Sequence, residues 1–211
     1  MWTLYRILAI VVGYLFGLLQ TGYLFGQFQH IDIRNYGSGN SGATNALRVM
    51  GKKAGAIVFF GDFFKAFIPC IVVRLLLKNQ PINPTLFVFY VGLGVVLGHN
   101  FPCYMHFKGG KGVASTAGVI ATLDWRVIIA CLLIFIISVA ITKYVSLGSI
   151  LVMLVMIAMT FLLTFTGKMG TRNLGEIRVM SVVLGGLSIF QHRKNIMRLL
   201  SGTENKLGSK K

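Results

Sequence analysis

The sequence predicts an all-α integral membrane protein with about seven transmembrane helices, some of them short. Of its 211 residues, 55% are hydrophobic and only 12% are charged, and the mean hydropathy is +0.75. A soluble domain carries roughly a quarter of its residues as charged side chains. Apolar stretches close to the roughly 20 residues that span a bilayer recur along the whole chain. We therefore expect a single membrane domain over residues 1–211, with no soluble domain.

The predicted spans follow the apolar stretches in order. They cover about residues 3–25, 54–77, 85–97, 113–122, 127–141, 147–166 and 174–190. The first stretch has the length of a secretory signal but no small-residue cleavage site, which favours a retained span. The fourth is only about ten residues long, too short for an ordinary crossing, and predicts a tilted or partial helix protected by its neighbours.

The charge distribution predicts the orientation. The formal net charge is +16, and such an excess suits nucleic acid, anionic lipid headgroups or anionic substrates. The basic residues stand in short loops between apolar stretches, which disfavours nucleic acid. With seven crossings, one side carries 13 of the 21 Lys and Arg residues, namely Arg34, Arg48, Lys52, Lys53, Lys108, Lys111, Lys143, Arg193, Lys194, Arg198, Lys206, Lys210 and Lys211. This bias predicts a cytoplasmic C-terminus and an N-terminus outside.

The first polar segment follows the first span. Residues 37–45 read Gly-Ser-Gly-Asn-Ser-Gly-Ala-Thr-Asn, and Arg48 follows. Glycines let backbone N–H groups approach a ligand, and a guanidinium is a planar fork suited to phosphate. A helix predicted from about residue 42 to Gly51 would direct its N-terminus at an anion. The alternative is a flexible polar loop. The other candidate ligand-binding residues are Ser38, Gly39, Asn40, Thr44 and Asn45.

The second polar segment follows the third span. It reads Gly-His-Asn-Phe-Pro over residues 98–102 and Phe-Lys-Gly-Gly-Lys-Gly over residues 107–112. Glycines interleaved with lysines predict a flexible cationic loop that opens a helix and binds phosphate. The spacing is not that of a P-loop. The alternative is a positive-inside anchor, and a single histidine such as His99 is more often packed than functional. The candidate residues are Gly109, Gly110, Lys111 and Gly112.

The third polar segment covers residues 191–204, after the last span. If it is helical, His192 and Asn195 share a face and can reach one ligand. A basic membrane-surface helix is the alternative, but it explains neither Asn195 nor Glu204, which we expect to pair with a basic residue as a structural brace. Ser149, near the start of the sixth span, is either a phosphate donor or part of a helix cap.

Asp62 and Lys65 stand three residues apart inside the second span. Charges inside a membrane are costly and are usually paired, so a structural ion pair is as good an interpretation as a catalytic role. The five acidic residues are scattered, so we expect no metal site and no cofactor. Cys103 is the one cysteine placed to act as a nucleophile, and we do not favour it.

Together, the three segments resemble the PlsY family, the bacterial acyl-phosphate:glycerol-3-phosphate acyltransferases. The resemblance lies in GSGNSGATN with Arg48, in GHNFP with FKGGKGVA, and in HRKNIMRLLSGTE, in the family's order and across nearly the whole chain. Two positions depart from the family pattern. Ser41 stands where an aliphatic residue is common, and Ala66 stands where a glycine is common.

The resemblance implies a seven-helix enzyme in the bacterial cell membrane with its active site facing the cytoplasm. It implies transfer of a fatty acyl group from acyl phosphate to the 1-hydroxyl of glycerol 3-phosphate, giving lysophosphatidic acid and phosphate for phospholipid biosynthesis. The partners it implies are these two substrates, membrane lipids and an upstream enzyme that produces acyl phosphate.

The resemblance also implies roles for the residues that match. Ser38 and Arg48 belong to the catalytic centre. Lys111 neutralises charge on an acyl phosphate held by Gly109, Gly110 and Gly112. Glycerol 3-phosphate is bound or oriented by His192 and Asn195, and Ser149 donates to a phosphate. The proton acceptor is either His192 or an oxygen of the substrate phosphate.

The residue types fit this chemistry independently. An acyl phosphate is an activated mixed anhydride, so the enzyme needs no covalent nucleophile and has only to position two anions and stabilise charge. A second hypothesis is a small transporter or channel for a phosphorylated metabolite, although no inverted repeat is visible. A third is a membrane-assembly subunit, which leaves the glycine–lysine loop without a purpose.

Overall fold

The computed structural model describes residues 2–208, which form helices and connecting loops with no strand. The described chain contains nine α-helices and two short 3-10 turns, Ile33–Asn35 and Cys103–Met105. The α-helices are α1 (Trp2–Gly17), α2 (Thr21–Phe28), α3 (Ala43–Leu76), α4 (Pro84–Asn100), α5 (Val113–Leu123), α6 (Trp125–Thr142), α7 (Val145–Phe165), α8 (Leu174–Gln191) and α9 (Arg193–Leu200).

Six helical segments in this part of the chain are long and apolar enough to cross a membrane. They are Trp2–Phe28, Ala43–Leu76, Pro84–Met105, Trp125–Thr142, Val145–Phe165 and Leu174–Gln191. The predicted all-α membrane fold is therefore confirmed. The fourth predicted span is a helix of 11 residues, α5, which is shorter than the other six.

Two helices differ from the boundaries that the sequence predicts. The first span is interrupted, because α1 ends at Gly17 and α2 begins at Thr21. α3 starts at Ala43 and includes the short helix expected before Gly51. Gly51 has φ +87° and ψ −179°, outside the helical region, so it separates residues 43–50 from the membrane-spanning remainder. Only glycine adopts this conformation readily.

The chain divides into two compact units between Thr122 and Leu123. In the first unit, α4 is the buried helix, since 78% of its most apolar window is inside the structure. Two glycine pairs let α1 approach it closely. A Cβ on Gly13 or Gly17 of α1 would lie 2.2 Å from a carbonyl oxygen of α4, and one on Gly94 or Gly98 would lie equally close to α1. Small residues spaced four apart are typical of tightly packed membrane helices.

In the second unit, α7 packs against both α6 and α8. The Arg178 guanidinium of α8 is held by α7, where Nε donates to Thr164 Oγ1 at 2.8 Å and the group lies 3.9 Å above the Phe165 ring. After α9 the chain returns to the start of α7, and the backbone N–H of Leu207 donates to Lys143 O at 2.7 Å.

Candidate functional site

A single amide side chain closes the first polar segment. Asn45 is buried on the first turn of α3, and its Oδ1 accepts from the backbone N–H of Ser38 at 2.9 Å. Its Nδ2 donates to Ile33 O at 3.2 Å and to Tyr36 O at 3.0 Å. We expected Asn45 to bind substrate. Both of its amide groups are engaged by the loop backbone, so Asn45 holds the loop in shape, and its contact with substrate stays a prediction.

The polar side chains of this segment divide into loop-forming and exposed groups. Asn40 Oδ1 accepts from the N–H of Gly42, which precedes the first residue of α3. Ser38, Thr44 and Arg48 are exposed. Thr44 and Arg48 are four residues apart and share a face of the helix. The exposed set offers a hydroxyl pair and a guanidinium beside a helix N-terminus, which is a suitable arrangement for an anion.

An ion pair stabilises the loop that leads into the first polar segment. The Asp32 carboxylate accepts from the Arg34 backbone N–H at 3.0 Å, and the two side chains pair at 2.8 Å. The Arg34 guanidinium also lies 4.8 Å from the centre of the Tyr23 ring. The hydrogen bond from Arg34 holds the pKa of the Asp32 carboxyl below its ordinary value of 3.8. Arg34 therefore serves the loop and is not presented to a ligand in this arrangement.

The second polar segment folds back over the end of α4. The N–H of Gly109 donates to Asn100 O, and the N–H of Gly110 donates to His99 O, both at 3.0 Å. Gly112 has φ +78°, and α5 begins at the next residue. Lys111 therefore stands one residue before the backbone turn that leads into a helix N-terminus. This geometry suits phosphate binding by backbone N–H groups and an ammonium together.

Both segments pack against the junction between α1 and α2. Gln20 is buried there, and its Nε2 donates to Gly98 O at 3.3 Å and to His99 O at 3.0 Å. On the other helix of the junction, a Cβ on Gly22 would lie 1.9 Å from Ser41 O. The interruption of the first span therefore places the two polar segments at the same end of the first unit. One local indication of this was available, namely a glutamine, Gln20, inside an apolar stretch.

A buried charged cluster lies directly beneath the second segment. Lys65 Nζ donates to Asp62 Oδ1 at 2.8 Å and to Leu19 O at 2.6 Å, and it lies 2.8 Å from His99 Nδ1. The side chains of Asp62 and Lys65 are 2% and 1% exposed. The structure thus contains the Asp62–Lys65 ion pair that was one of the two interpretations of these residues. It also adds a histidine that the sequence alone gave little reason to select.

Asn100 is the second buried polar side chain beneath this loop. A Cβ on Gly112 would lie 2.9 Å from Asn100 Oδ1, so the loop passes over the amide. Neither Asn100 Oδ1 nor Asn100 Nδ2 has a hydrogen-bond partner among the described residues, although Asn100 is buried. Ser115 and Thr116, in the first turn of α5, also have buried hydroxyls without a partner there. The start of α5 therefore retains unused hydrogen-bonding capacity.

The third polar segment belongs to the second unit. His192 is buried between α8 and α9, and its Nδ1 lies 2.8 Å from Ser188 O. A carbonyl oxygen only accepts, so Nδ1 carries the proton and Nε2 of the neutral ring is the accepting nitrogen. Asn195 is buried three residues later, as expected for the same face of a helix.

A carboxylate orients Asn195. Glu204 Oε1 accepts from Asn195 Nδ2 at 2.9 Å, and Glu204 Oε2 accepts from Arg198 Nε at 2.8 Å. Gly202, with φ +69°, turns the chain so that Glu204 reaches back to α9. The acid therefore fixes which end of the Asn195 amide faces away from it. The pairing of Glu204 with a basic residue was predicted, whereas its hydrogen bond with Asn195 was not.

Ser149 is used within its own helix. Its Oγ donates to Val145 O at 2.8 Å, so α7 engages the hydroxyl hydrogen, and the role of Ser149 as a donor to phosphate stays a prediction. The Oγ atom of Ser146, one turn earlier, is buried and has no partner among the described residues. At the start of this span, Ser146 therefore offers the unused donor.

Three further features lie apart from the polar segments. Cys103 is exposed, whereas Cys70 and Cys131 are buried. Within residues 2–208, the acidic, histidine and cysteine side chains form no group of three suited to a metal ion.

An apolar groove of about 520 Å³ runs between α1, α3 and α4, and its lining includes Trp2, Tyr5, Phe16, Val72, Phe87 and Val91. The predicted site residues are not part of that lining.

The whole chain is similar to one group of known proteins. A family model described as glycerol-3-phosphate acyltransferase matches residues 7–202. Glycerol-3-phosphate acyltransferase from Thermoanaerobacter sp. (strain X514) is 40% identical over 208 residues and covers 98% of both chains. The protein of that description from Aquifex aeolicus (strain VF5) is 38% identical over 197 residues, which are 93% of this chain and 96% of the relative.

Two crystal structures of PlsY, an integral membrane glycerol 3-phosphate acyltransferase, have the same fold. The glycerol 3-phosphate form superposes with a TM-score of 0.82 at 36% identity, covering 97% of this chain and 96% of PlsY. The lysophosphatidic acid form gives a TM-score of 0.80 at 35% identity with the same coverage.

Proposed function

Because the chain belongs to the glycerol-3-phosphate acyltransferase family, we propose that it transfers a fatty acyl group from acyl phosphate to the 1-hydroxyl of glycerol 3-phosphate. The products are lysophosphatidic acid and inorganic phosphate. The observation that carries the proposal is the similarity over 97% of the chain to PlsY, whose two structures are a glycerol 3-phosphate form and a lysophosphatidic acid form. These are the acceptor and the product of this reaction.

The residue types of the three polar segments support acyl phosphate as the donor. The substrate hydroxyl oxygen attacks the acyl carbon, the bond from that carbon to the phosphate oxygen breaks, and phosphate leaves. An anhydride this reactive needs positioning and charge stabilisation more than a protein nucleophile. Neutral hydrogen-bonding groups, glycines and cations meet that need.

We assign the first unit to the acyl phosphate and its developing charge. The backbone of Gly109, Gly110 and Gly112 holds the phosphate, and Lys111 neutralises it. Ser38 and Arg48, exposed beside the start of α3, stabilise the charge that builds on the oxygens during attack. Thr44 and Gly39 line the same segment, while Asn40 and Asn45 keep its shape through the hydrogen bonds described above.

We assign the third segment to glycerol 3-phosphate. Asn195, oriented by Glu204, binds the substrate through its amide side chain. His192 presents Nε2 as an acceptor because Nδ1 is committed to Ser188 O. The proton of the attacking hydroxyl passes to an oxygen of the acyl phosphate's own phosphate group, and His192 orients the hydroxyl. Proton transfer to Nε2 of His192 is the alternative mechanism.

The location of the enzyme follows from the charge bias of its loops. The residues after Gln191 and the polar segments carry most of the basic side chains, which supports a position on the cytoplasmic side of a bacterial cell membrane. Acyl phosphate then comes from an upstream enzyme on that side. The acyl chain stays among the apolar, lipid-facing helices while its phosphate enters the polar segments.

A donor-selectivity assay tests the proposed function. Purified protein in liposomes is given labelled glycerol 3-phosphate with acyl phosphate, acyl-CoA or acylated carrier protein. We expect labelled lysophosphatidic acid from acyl phosphate alone, with one phosphate released per ester formed. Product from acyl-CoA at a similar rate would contradict the proposed donor. Uptake of glycerol 3-phosphate into the liposomes without ester formation would instead support the transporter hypothesis.

A further inference from the structure

The buried cluster beneath the glycine loop is not used by the proposed chemistry. Asp62 Oδ1 accepts from Lys65 Nζ at 2.8 Å and from Thr21 Oγ1 at 3.1 Å. Lys65 Nζ is surrounded by Leu19 O, Asp62 Oδ1 and His99 Nδ1, all within 2.8 Å. An ammonium has three N–H donors and no acceptor. The three neighbouring atoms provide one position for each of the three N–H donors of Lys65.

This geometry determines the protonation of His99. The ammonium neutralises the buried Asp62 carboxylate, which would otherwise be an unpaired charge inside the membrane domain. Because an ammonium only donates, an Nδ1–H on His99 would direct its hydrogen at the Lys65 cation 2.8 Å away; Nδ1 is therefore the acceptor of this contact and the ring proton stands on Nε2. The Asp62 carboxylate lies 3.7 Å from His99 Nδ1, too far for a hydrogen bond of its own. Lys65 therefore excludes both the Nδ1–H tautomer and the charged imidazolium.

The opposite edge of the ring supports the loop. A Cβ built on Gly110 would lie 2.0 Å from His99 Nε2 and 2.7 Å from its Cε1, so Nε2 meets the backbone where a side chain would stand. The N–H of Gly110 also donates to His99 O, and Gln20 Nε2 donates to the same carbonyl. His99 thus contacts Gly110 through both its ring and its backbone, and Lys111 is the next residue.

We propose that Lys65 and His99 are positioning residues of the acyltransferase: Lys65 holds His99 neutral with its proton on Nε2, and the His99 ring sets the position of Gly110 and so of Lys111. The proposal rests on the proposed function in one respect, which is that residues 109–112 bind the acyl phosphate. It also explains why position 110 is a glycine, because any side chain there would displace the ring.

The kinetic expectation follows from loop displacement. A misplacement of reacting groups by about 1 Å costs on the order of 100-fold in rate. His99→Leu removes both ring nitrogens, so we expect kcat to fall by about 100-fold and KM for acyl phosphate to rise, while KM for glycerol 3-phosphate is unchanged. Loss of folded protein lowers the apparent kcat but moves neither KM.

His99→Gln provides the conservative rescue. A glutamine carries one acceptor for Lys65 and one donor for the loop side, as the neutral histidine does. We expect it to recover most of the kcat that His99→Leu loses. Cys70→Ala is the matched packing control, since Cys70 is buried on the same helix as Lys65 and bonds to Val88 O. It should leave both KM values unchanged.

The tautomer is measured independently of activity. Solid-state ¹⁵N NMR of histidine-labelled protein in lipid bilayers reports which ring nitrogen carries the proton, and the His99→Gln spectrum identifies the His99 signals. We expect a proton on Nε2 of His99. In Asp62→Asn with Lys65→Met, which removes both charges together and so avoids an unpaired one, that preference should be lost and KM for acyl phosphate should rise.

These readouts separate failure of this proposal from failure of the proposed function. If the wild-type protein makes no ester from acyl phosphate, the proposed function is wrong. The NMR measurement of the His99 tautomer then still tests whether Lys65 holds the proton of His99 on Nε2. An Nδ1–H tautomer or an imidazolium at His99 would overturn the positioning role even in an active enzyme. So would unchanged KM values in His99→Leu with a kcat that falls only in proportion to folded protein.

Discussion

The cationic side chains of the first unit are the residues on which the proposed reaction most depends. We expect Arg48→Ala and Lys111→Ala each to lower kcat by about 100- to 1,000-fold, or roughly 3–4 kcal/mol, because each removes a group that stabilises transition-state charge. Lys78→Ala is the control, since Lys78 is an exposed lysine in the loop after α3. Activity near that of the wild type in both variants, measured by phosphate release, would exclude these residues from the site.

The two mechanisms for the proton differ in what His192 contributes. If the substrate phosphate accepts the proton, His192→Gln should raise KM for glycerol 3-phosphate and lower kcat by less than about tenfold. If His192 Nε2 is the general base, the loss should reach about 100- to 10,000-fold in kcat. Steady-state kinetics with both substrates varied distinguishes the two, and we expect the smaller loss.

The Asp32–Arg34 pair predicts a dependence of stability on pH. Because Arg34 lowers the folded-state pKa of Asp32 below 3.8, the ionised carboxylate stabilises the fold at all pH values above its unfolded pKa. That contribution is lost as the pH falls through the folded pKa. Asp32→Asn keeps a side-chain acceptor for the Arg34 N–H but carries no charge. Wild type should exceed it in thermal stability at neutral pH, and the difference should shrink to nothing in acid; a difference independent of pH would contradict the assignment.

Helices were predictable where their signals are local. The end of the short helix at Gly51 and the break before Trp125 follow from residues adjacent in the sequence. The interruption of the first span was not predicted, because Leu18 and Leu19 continue the apolar pattern. What stabilises the interruption comes from distant parts of the chain, including Tyr104 Oη, which donates to Leu18 O at 2.8 Å. Periodicity within one stretch contains no information about such a partner.

The kink at Gly51 gives a prediction at the level of one helix. Gly51→Ala should destabilise the protein by about 1–3 kcal/mol, because alanine does not adopt this backbone conformation without strain. Nothing lies within 4 Å of the added Cβ, so the cost is conformational and not steric. Gly186→Ala in α8 is the control, since that site is also open but helical. Alanine there should be neutral or stabilising, and equal effects at both positions would contradict the role of the kink.

Orientation in the membrane is a property of the whole chain that labelling tests. Of the three cysteines, Cys103 alone is exposed, so a membrane-impermeant thiol reagent should modify it from the cytoplasmic side only. In a Cys103→Ser background, a cysteine introduced by Thr203→Cys should react from the same side, and one introduced by Lys78→Cys from the other. Labelling of Cys103 and of position 203 from opposite sides would contradict the predicted seven-crossing topology.

The residue types that form the candidate site were predictable from the sequence, but the role of each residue was less predictable. The three polar segments could be recognised because each is a contiguous set of glycines, amides and cations. The structural use of Asn45, and the unused groups of Asn100 and Ser146, could not, because they depend on which backbone groups fold next to them. His99 became informative only when the structure placed it between Lys65 and Gly110.

The Asp62–Lys65 pair has a consequence for biosynthesis. A lone charge at the centre of a helix costs roughly 2.5–3.5 kcal/mol when the nascent segment leaves the translocon for lipid. Since both partners stand on α3, three residues apart, that helix carries its own counter-ion as it emerges from the ribosome. It can therefore enter the bilayer as a neutral segment before α4 has been synthesised. His99 then docks onto a pair already in place, so membrane insertion need not wait for assembly of the catalytic centre.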